Sequence, residues 1–159
     1  TQSEKELVLK FLSEQPQALR TLNDVTLLRG SRSKFKNNPG TTTKALNAIA
    51  FYDNFFSSVE KSRILSHELS HLYLHNLNPE KLANLVSELG WRQEGKENSL
   101  VRLANYSLLK PDSAQSITED IANHLEDFLH DQVNLRKKFP ERYKLIQDIV
   151  PADFKLENP

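Results

Sequence analysis

Cysteine and methionine are both absent from the 159 residues of this chain. Without cysteine there is no disulfide framework and no thiolate metal site, so a bound metal would need histidine and carboxylate ligands. No apolar run approaches the ~20 residues that a membrane-spanning helix requires. The formal net charge is zero, so no overall field attracts nucleic acid or an anionic membrane surface.

The lack of methionine extends to the first position, which is Thr1. We therefore expect a processed or excised polypeptide whose initiator has been removed. Removal of a secretory signal would explain this start and predicts a secreted or periplasmic protein. The alternative is a domain excised from a longer protein, which leaves a cytoplasmic location open.

The composition predicts one soluble globular domain over residues 1–159, because 38% of the residues are apolar and 26% are charged. The periodicity predicts an α+β fold that is mostly helical, with a small sheet before the helix predicted at 57–76. Short β-branched or Thr-rich runs indicate strands, the last of them Ala45–Tyr52. Helices are predicted at 3–14, 57–76 (with Ser57 and Glu60 as a capping box), 80–90, 116–138 and 141–150, and irregular structure at 91–115.

The strongest functional signal is the pentapeptide His67-Glu68-Leu69-Ser70-His71, an H-E-x-x-H pattern. Positions i and i+4 of a helix lie one turn apart on the same face, so His67 and His71 can converge on one zinc ion. Glu68 then projects beside the metal, where it can act as a general base on a bound water. The alternative is that both histidines bind no metal and are surface or core-edge residues of an amphipathic helix.

His75 continues the spacing of four residues but is not predicted to complete the site. At 1.5 Å rise per residue, His67 and His75 lie ~12 Å apart along the helix axis. Ligands that share one zinc ion lie within ~4 Å of each other. A histidine in the last turn instead interacts favourably with the helix C-terminus.

A third ligand must therefore come from another segment, and the predicted helix that begins at Ser116 offers several candidates. Its apolar stripe would face the motif helix, but acids flank that stripe, and spacing alone does not choose between Glu119 and Glu126. The candidates are Glu119, Asp120, Asn123, His124, Glu126 and Asp127.

The pentapeptide and the later segment Glu119-Asp120-Ile121-Ala122 together resemble the gluzincin metallopeptidases with a compact α+β domain. Within that group the likeness is to the anthrax lethal factor catalytic domain and the Mlc titration factor A family. In both, the third ligand is the first glutamate of an E-F-F-A segment. The stretch "LRKKFPERYKLIQDI" resembles the C-terminal part of those domains, so the resemblance covers roughly residues 45–150.

The resemblance implies that His67, His71 and Glu119 bind zinc and that Glu68 is the general base. It also implies an oxyanion-stabilising tyrosine upstream of the ligand glutamate, for which Tyr106 is the candidate. The alternative for Tyr106 is a half-buried packing aromatic.

Gluzincins usually carry an acid one turn after the ligand glutamate, which accepts the ring N–H of a ligand histidine. Asn123 occupies that position here. Its amide oxygen can accept the hydrogen bond but carries no charge. Glu126, a further turn along, is the candidate for supplying the missing negative charge.

These expectations describe a zinc-dependent endopeptidase that binds its peptide or protein substrate in extended form along the strand near Ala45–Tyr52. An interior strand without substrate contact is the competing view for that segment. The rival functions are a cell-wall peptide hydrolase with the same site, a non-catalytic zinc-binding pseudo-protease that binds a partner, and a helical interaction module without metal. The basic run "RKKFPERYK" is more typical of a solvated helix face than of a nucleic-acid site.

Overall fold

The computed structural model describes residues 1–22, 24–31, 37–94, 97–100, 108–114, 116–152 and 154; for 93–94 and 97–100 it describes the backbone alone. The predicted α+β class is confirmed, because the chain is mostly helical with a small sheet ahead of the motif helix. The chain divides into two compact units, Thr1–His75 with Pro151–Pro159, and Asn76–Val150. None of the described helices combines the length and the apolar character needed to cross a bilayer.

The first unit holds a three-stranded sheet and the motif helix. Thr1 caps its first helix by accepting a hydrogen bond from the Glu4 amide, and the Glu4 side chain completes a capping box. A 3₁₀ turn at Lys44–Leu46 leads into the last strand. The elements are α1 (Gln2–Ser13), α2 (Gln17–Arg20), β1 (Thr26–Arg29), β2 (Gly40–Thr43), β3 (Ala48–Phe51), α3 (Asp53–Ser57) and α4 (Lys61–His75).

Strand β3 lies in the middle of the sheet, whose strand order is β1-β3-β2. It pairs in parallel with β1 and antiparallel with β2, and Ala48, Ile49 and Phe51 are buried, as an interior strand requires. The predicted strand Ala45–Tyr52 is therefore too long, since Asn47 takes a left-handed conformation with φ 46° before β3 begins. The prediction that substrate pairs with this strand is also wrong, because both of its edges are already paired.

The motif helix α4 begins at Lys61, not at the predicted Ser57. Ser57 belongs to the end of α3, where its hydroxyl donates to the Asp53 carbonyl oxygen. The Ser58 hydroxyl accepts from the Glu60 amide at 3.0 Å, so the predicted Ser57–Glu60 capping box is not formed.

Helix α4 is buried along most of its length within the first unit, where it packs on α1, α2, α3 and β2. Leu65, Leu69 and Leu72 are at most 1% exposed. On another side the Ser66 hydroxyl donates to Gln15 Oε1 at 2.6 Å, and both residues are 0% exposed. Apolar packing and one buried hydrogen bond thus fix the rotation of the helix that carries both histidines.

Among the residues that the structure describes, the second unit contains four α-helices and a β-hairpin. Within the segment 91–115 predicted to be irregular, residues 91–94 and 97–100 instead form two antiparallel strands, with Trp91 paired to Leu100 and Glu94 to Glu97. The predicted helix 116–138 is interrupted at Asp131, whose φ of −151° and ψ of 50° are not helical. The elements are α5 (Pro79–Glu88), β4 (Trp91–Glu94), β5 (Glu97–Leu100), α6 (Ile117–His130), α7 (Gln132–Lys138) and α8 (Pro140–Ile149).

Candidate metal centre

His67 and His71 face each other one turn apart on α4, as the i, i+4 spacing predicts. Their Nε2 atoms are 3.2 Å apart, and the ring planes meet at 85° with centroids 4.9 Å apart. Two nitrogen ligands bound at about 2.0–2.1 Å to one tetrahedral ion are separated by roughly 3.3 Å. The pair therefore has the spacing of two ligands of one zinc ion, although a direct ring-to-ring hydrogen bond has a similar length.

Glu119 lies in the first turn of α6, whose N-terminus is capped by Ser116. The Ser116 hydroxyl accepts from the Glu119 amide at 3.5 Å. Among the described histidine and carboxylate side chains, one group could hold a metal ion: His67, His71 and Glu119 each offer one ligand atom, all within 4.8 Å of one another. Sequence spacing left Glu119 and Glu126 open as candidates, and the group contains Glu119.

Glu126 and Asn123 are both buried, at 8% and 4% exposed, but they engage the segment that precedes α6. Lys110 Nζ lies 3.6 Å from Glu126 Oε1 and donates to Asn123 Oδ1 at 3.1 Å. The Asn123 amide nitrogen donates to Asp112 Oδ1 and Ser113 Oγ at 3.1 and 2.8 Å. The predicted role of Asn123, accepting a ring N–H from a ligand histidine, gains no support here. Its amide group instead forms hydrogen bonds with residues in the segment 110–113.

Glu68 is 7% exposed and has a partner on β2 that no sequence pattern indicates. The Thr42 hydroxyl donates to Glu68 Oε2 at 2.6 Å. Gly40 lies on the same strand, close enough that an added Cβ would stand 3.0 Å from Glu68 Oε1. The candidate general base is therefore held by β2, and the only trace of this in the sequence is the Thr-rich run that ends in Thr43.

The helix that carries Glu119 is anchored by a buried ion pair at the next residue, Asp120. Arg142 Nη1 lies 2.7 and 2.8 Å from the two Asp120 oxygens, and Trp91 Nε1 donates to Oδ2 at 2.8 Å. Asp120 is 0% exposed, Arg142 5% and His124 3%. This cluster holds α6 to β4 and α8, so the position of Glu119 in the second unit is set by residues distant in sequence.

Burial by itself raises the pKa of the Asp120 carboxyl, since it disfavours the charged form. The hydrogen bond and charge of His124 act in the opposite direction, as do the Arg142 guanidinium and the Trp91 indole. Their combined effect prevails and holds the pKa of Asp120 below its usual range. Asp120 is thus an ionised structural carboxylate rather than a spare metal ligand.

His75 is exposed in the last turn of α4, and the metal-ligand group does not include it, which agrees with the distance argument. Tyr106, the predicted oxyanion residue, lies outside the described residues.

The arrangement combines two imidazoles, a carboxylate and a second, separately held carboxylate at Glu68. Three protein ligands and one open position are typical of catalytic rather than structural zinc sites. No family model, curated protein or solved structure matches the chain.

Proposed function

We propose that the chain is a zinc-dependent endopeptidase with Glu68 as its general base. The observation that carries this proposal is the group of His67, His71 and Glu119, whose ligand atoms lie within 4.8 Å of one another, beside a buried glutamate. The resemblance of the H-E-x-x-H pentapeptide and the Glu119 segment to gluzincin metallopeptidases supports the same assignment.

Zinc is the metal that best suits this donor set. Two imidazoles and one carboxylate provide nitrogen and oxygen ligands, and the chain has no cysteine that would favour a closed thiolate site. A zinc ion held by these residues would lower the pKa of a bound water toward ~7 and would polarise a carbonyl oxygen. A structural site has no need of a carboxylate in the position of Glu68, so this residue favours catalysis over a purely structural role.

Glu68 performs the proton transfers of the proposed reaction. Its carboxylate takes a proton from the attacking water as the water oxygen bonds to the carbonyl carbon of the peptide. The same proton passes to the amide nitrogen as the C–N bond breaks, which gives one carboxylic acid and one amine. We assign to Tyr106 the donation of a hydrogen bond to the developing oxyanion, a role typically worth ~3 kcal/mol of transition-state stabilisation.

We place the extended substrate along β2 rather than along β3. Among the described strands, β2 pairs with β3 alone and so keeps one edge open. The Tyr52 amide donates to the Pro39 carbonyl at 2.9 Å, and antiparallel alternation then directs the backbone amide and carbonyl of Thr42 to the outer edge. Backbone pairing there would provide affinity and bring the scissile bond close to Glu68.

The test compares the wild-type chain with Glu68→Gln in the cleavage of casein, with and without a chelator. We expect cleavage by the wild type, loss of cleavage with the chelator and its return on adding Zn²⁺. Glu68→Gln should stay folded and bind zinc, because the amide oxygen can still accept from Thr42, but it should not turn over.

Full activity of Glu68→Gln would contradict the mechanism. A wild-type chain that binds one zinc ion but cleaves neither casein nor cell-wall peptides would instead be a zinc-binding pseudo-protease. Cleavage of cell-wall peptides alone would keep the chemistry and change the substrate class.

A further inference from the structure

The hydrogen bond between Thr42 and Glu68 joins a strand to the helix that carries the candidate base. The Thr42 hydroxyl oxygen lies 2.6 Å from Glu68 Oε2, a length typical of an O–H donor on an ionised carboxylate. The same hydroxyl lies 3.0 Å from the Glu68 main-chain oxygen. A hydroxyl has one proton to donate, so the shorter and charge-assisted contact to the carboxylate is the dominant one.

Gly40 lies beside the other oxygen of the Glu68 carboxylate. A Cβ at position 40 would stand 3.0 Å from both Cγ and Oε1 of Glu68 and 3.2 Å from Cδ. The start of β2 is itself held in place, since Asn38 Oδ1 accepts from the Gly40 amide at 3.2 Å and its amide nitrogen donates to Thr41 Oγ1 at 3.1 Å. The carboxylate therefore has a hydrogen-bond donor at Oε2, and beside Oε1 it has a space that a side chain at position 40 would fill.

We infer that Thr42 is the positioning residue that fixes the Glu68 carboxylate in the orientation needed for proton transfer, with Gly40 leaving the space for it. A glutamate side chain has several accessible rotamers, and proton transfer requires one of them. The hydrogen bond selects the Oε2 direction and leaves Oε1 as the oxygen that accepts from water. This role rests on the proposed function.

The backbone of the same strand gives this role a second consequence. The Thr42 amide and carbonyl point to the edge on which we place the substrate, while its side chain bonds to the base. A peptide paired along β2 and the Glu68 carboxylate that transfers its proton would thus both be positioned by the same strand. A displacement of β2 would move both together rather than misalign them.

The competing account is structural, in which the hydroxyl only ties β2 to α4. Two substitutions separate the accounts: Thr42→Val keeps the shape and removes the donor, whereas Thr42→Ser keeps the donor and removes a methyl group. If the hydrogen bond positions the base, Thr42→Val should lower kcat about 10- to 100-fold with KM and zinc content little changed, as is usual for residues that orient a metal-site group. Thr42→Ser should retain most of the wild-type kcat.

A second measurement uses the metal-free protein and so does not depend on activity. The ¹³C resonance of the Glu68 side-chain carboxylate, assigned by its loss in Glu68→Gln, responds to hydrogen bonding at that group. At neutral pH it should move in Thr42→Val and stay near its wild-type position in Thr42→Ser. Gly40→Ala, which keeps the donor but crowds Oε1, should also move it.

The outcomes of the two measurements are distinct. A wild-type chain without peptidase activity defeats the proposed function, and the carboxylate resonance then still decides whether Thr42 orients Glu68. An active wild type with an equally active Thr42→Val overturns the inference. Equal loss of kcat in Thr42→Val and Thr42→Ser also overturns it, because the hydroxyl would then not be the cause.

Discussion

The substitution Asp120→Asn should destabilise the second unit by about 3–5 kcal/mol, the usual cost of removing one partner of a buried ion pair. Asp120 is 0% exposed and Arg142 5%, with their charged groups 2.7 and 2.8 Å apart. An asparagine can keep one hydrogen bond but leaves the guanidinium charge without a counter-ion in a desolvated position. Since the free energy of unfolding of a natural domain is about 5–15 kcal/mol, the loss is a large fraction of the total.

Urea unfolding monitored by tryptophan fluorescence measures this change directly. Trp91 is the one tryptophan of the chain, and its indole donates to the Asp120 carboxylate, so the signal comes from the cluster under test. Asp53→Asn is the matched control, because Asp53 pairs with Arg29 at 2.5 Å but has a side chain that is 65% exposed. An exposed pair of this kind is worth at most about 1 kcal/mol.

A double substitution sharpens the same prediction. Arg142→Met in the Asp120→Asn background removes the uncompensated charge, so the double variant should be more stable than the sum of the two single losses implies. A loss of less than about 1 kcal/mol in Asp120→Asn, or strictly additive losses, would refute the view that this pair fixes α6.

Three further outcomes follow from the site and its scaffold. His75→Ala should leave zinc content unchanged, because His75 is exposed at the end of α4, and retention below the wild-type level would show an unexpected role in binding. Glu126→Gln should also keep its zinc, since the ligand group contains Glu119 instead; elemental analysis after dialysis measures both. Ser66→Ala should lower the free energy of unfolding by about 1–3 kcal/mol, because it leaves the buried Gln15 side chain without one partner; an unchanged urea midpoint would contradict this.

Local patterns in the sequence were sufficient to predict the motif helix, apart from its first residue, and the facing arrangement of its two candidate ligand histidines. The apolar positions of α4 have a helical period, and the i, i+4 spacing places His67 and His71 on one face whatever the rest of the fold does. Glu119 could be named only through the resemblance, because periodicity left Glu126 equally possible. Its membership of the ligand group depends on coordinates, not on spacing.

Contacts between distant positions were not predictable in the same way. Thr42 precedes Glu68 by 26 residues, and nothing in the local pattern around either residue indicates that they meet. Strand order has the same limitation: the sequence leaves open whether the apolar segment before α4 is a substrate-binding strand or an interior strand, whereas pairing on both sides makes β3 central. The interior position explains its apolar character, which the sequence showed but did not assign to a place in the sheet.

The hairpin of β4 and β5 was missed because its residues are largely polar. Cross-strand pairing stabilises such a hairpin, and the buried Trp91 ties its first strand to Asp120. Polar composition alone favoured an irregular segment, and the glycine at position 95 of the sequence was a local signal for a turn.

The zinc content of the purified chain and of Glu119→Ala, measured by elemental analysis after dialysis against metal-free buffer, tests the metal centre most directly. The proposed site predicts one zinc ion per wild-type chain and its loss in Glu119→Ala, with circular dichroism showing that the variant remains folded. A wild-type chain that retains no zinc, or a folded Glu119→Ala variant that retains one ion per chain, would contradict it.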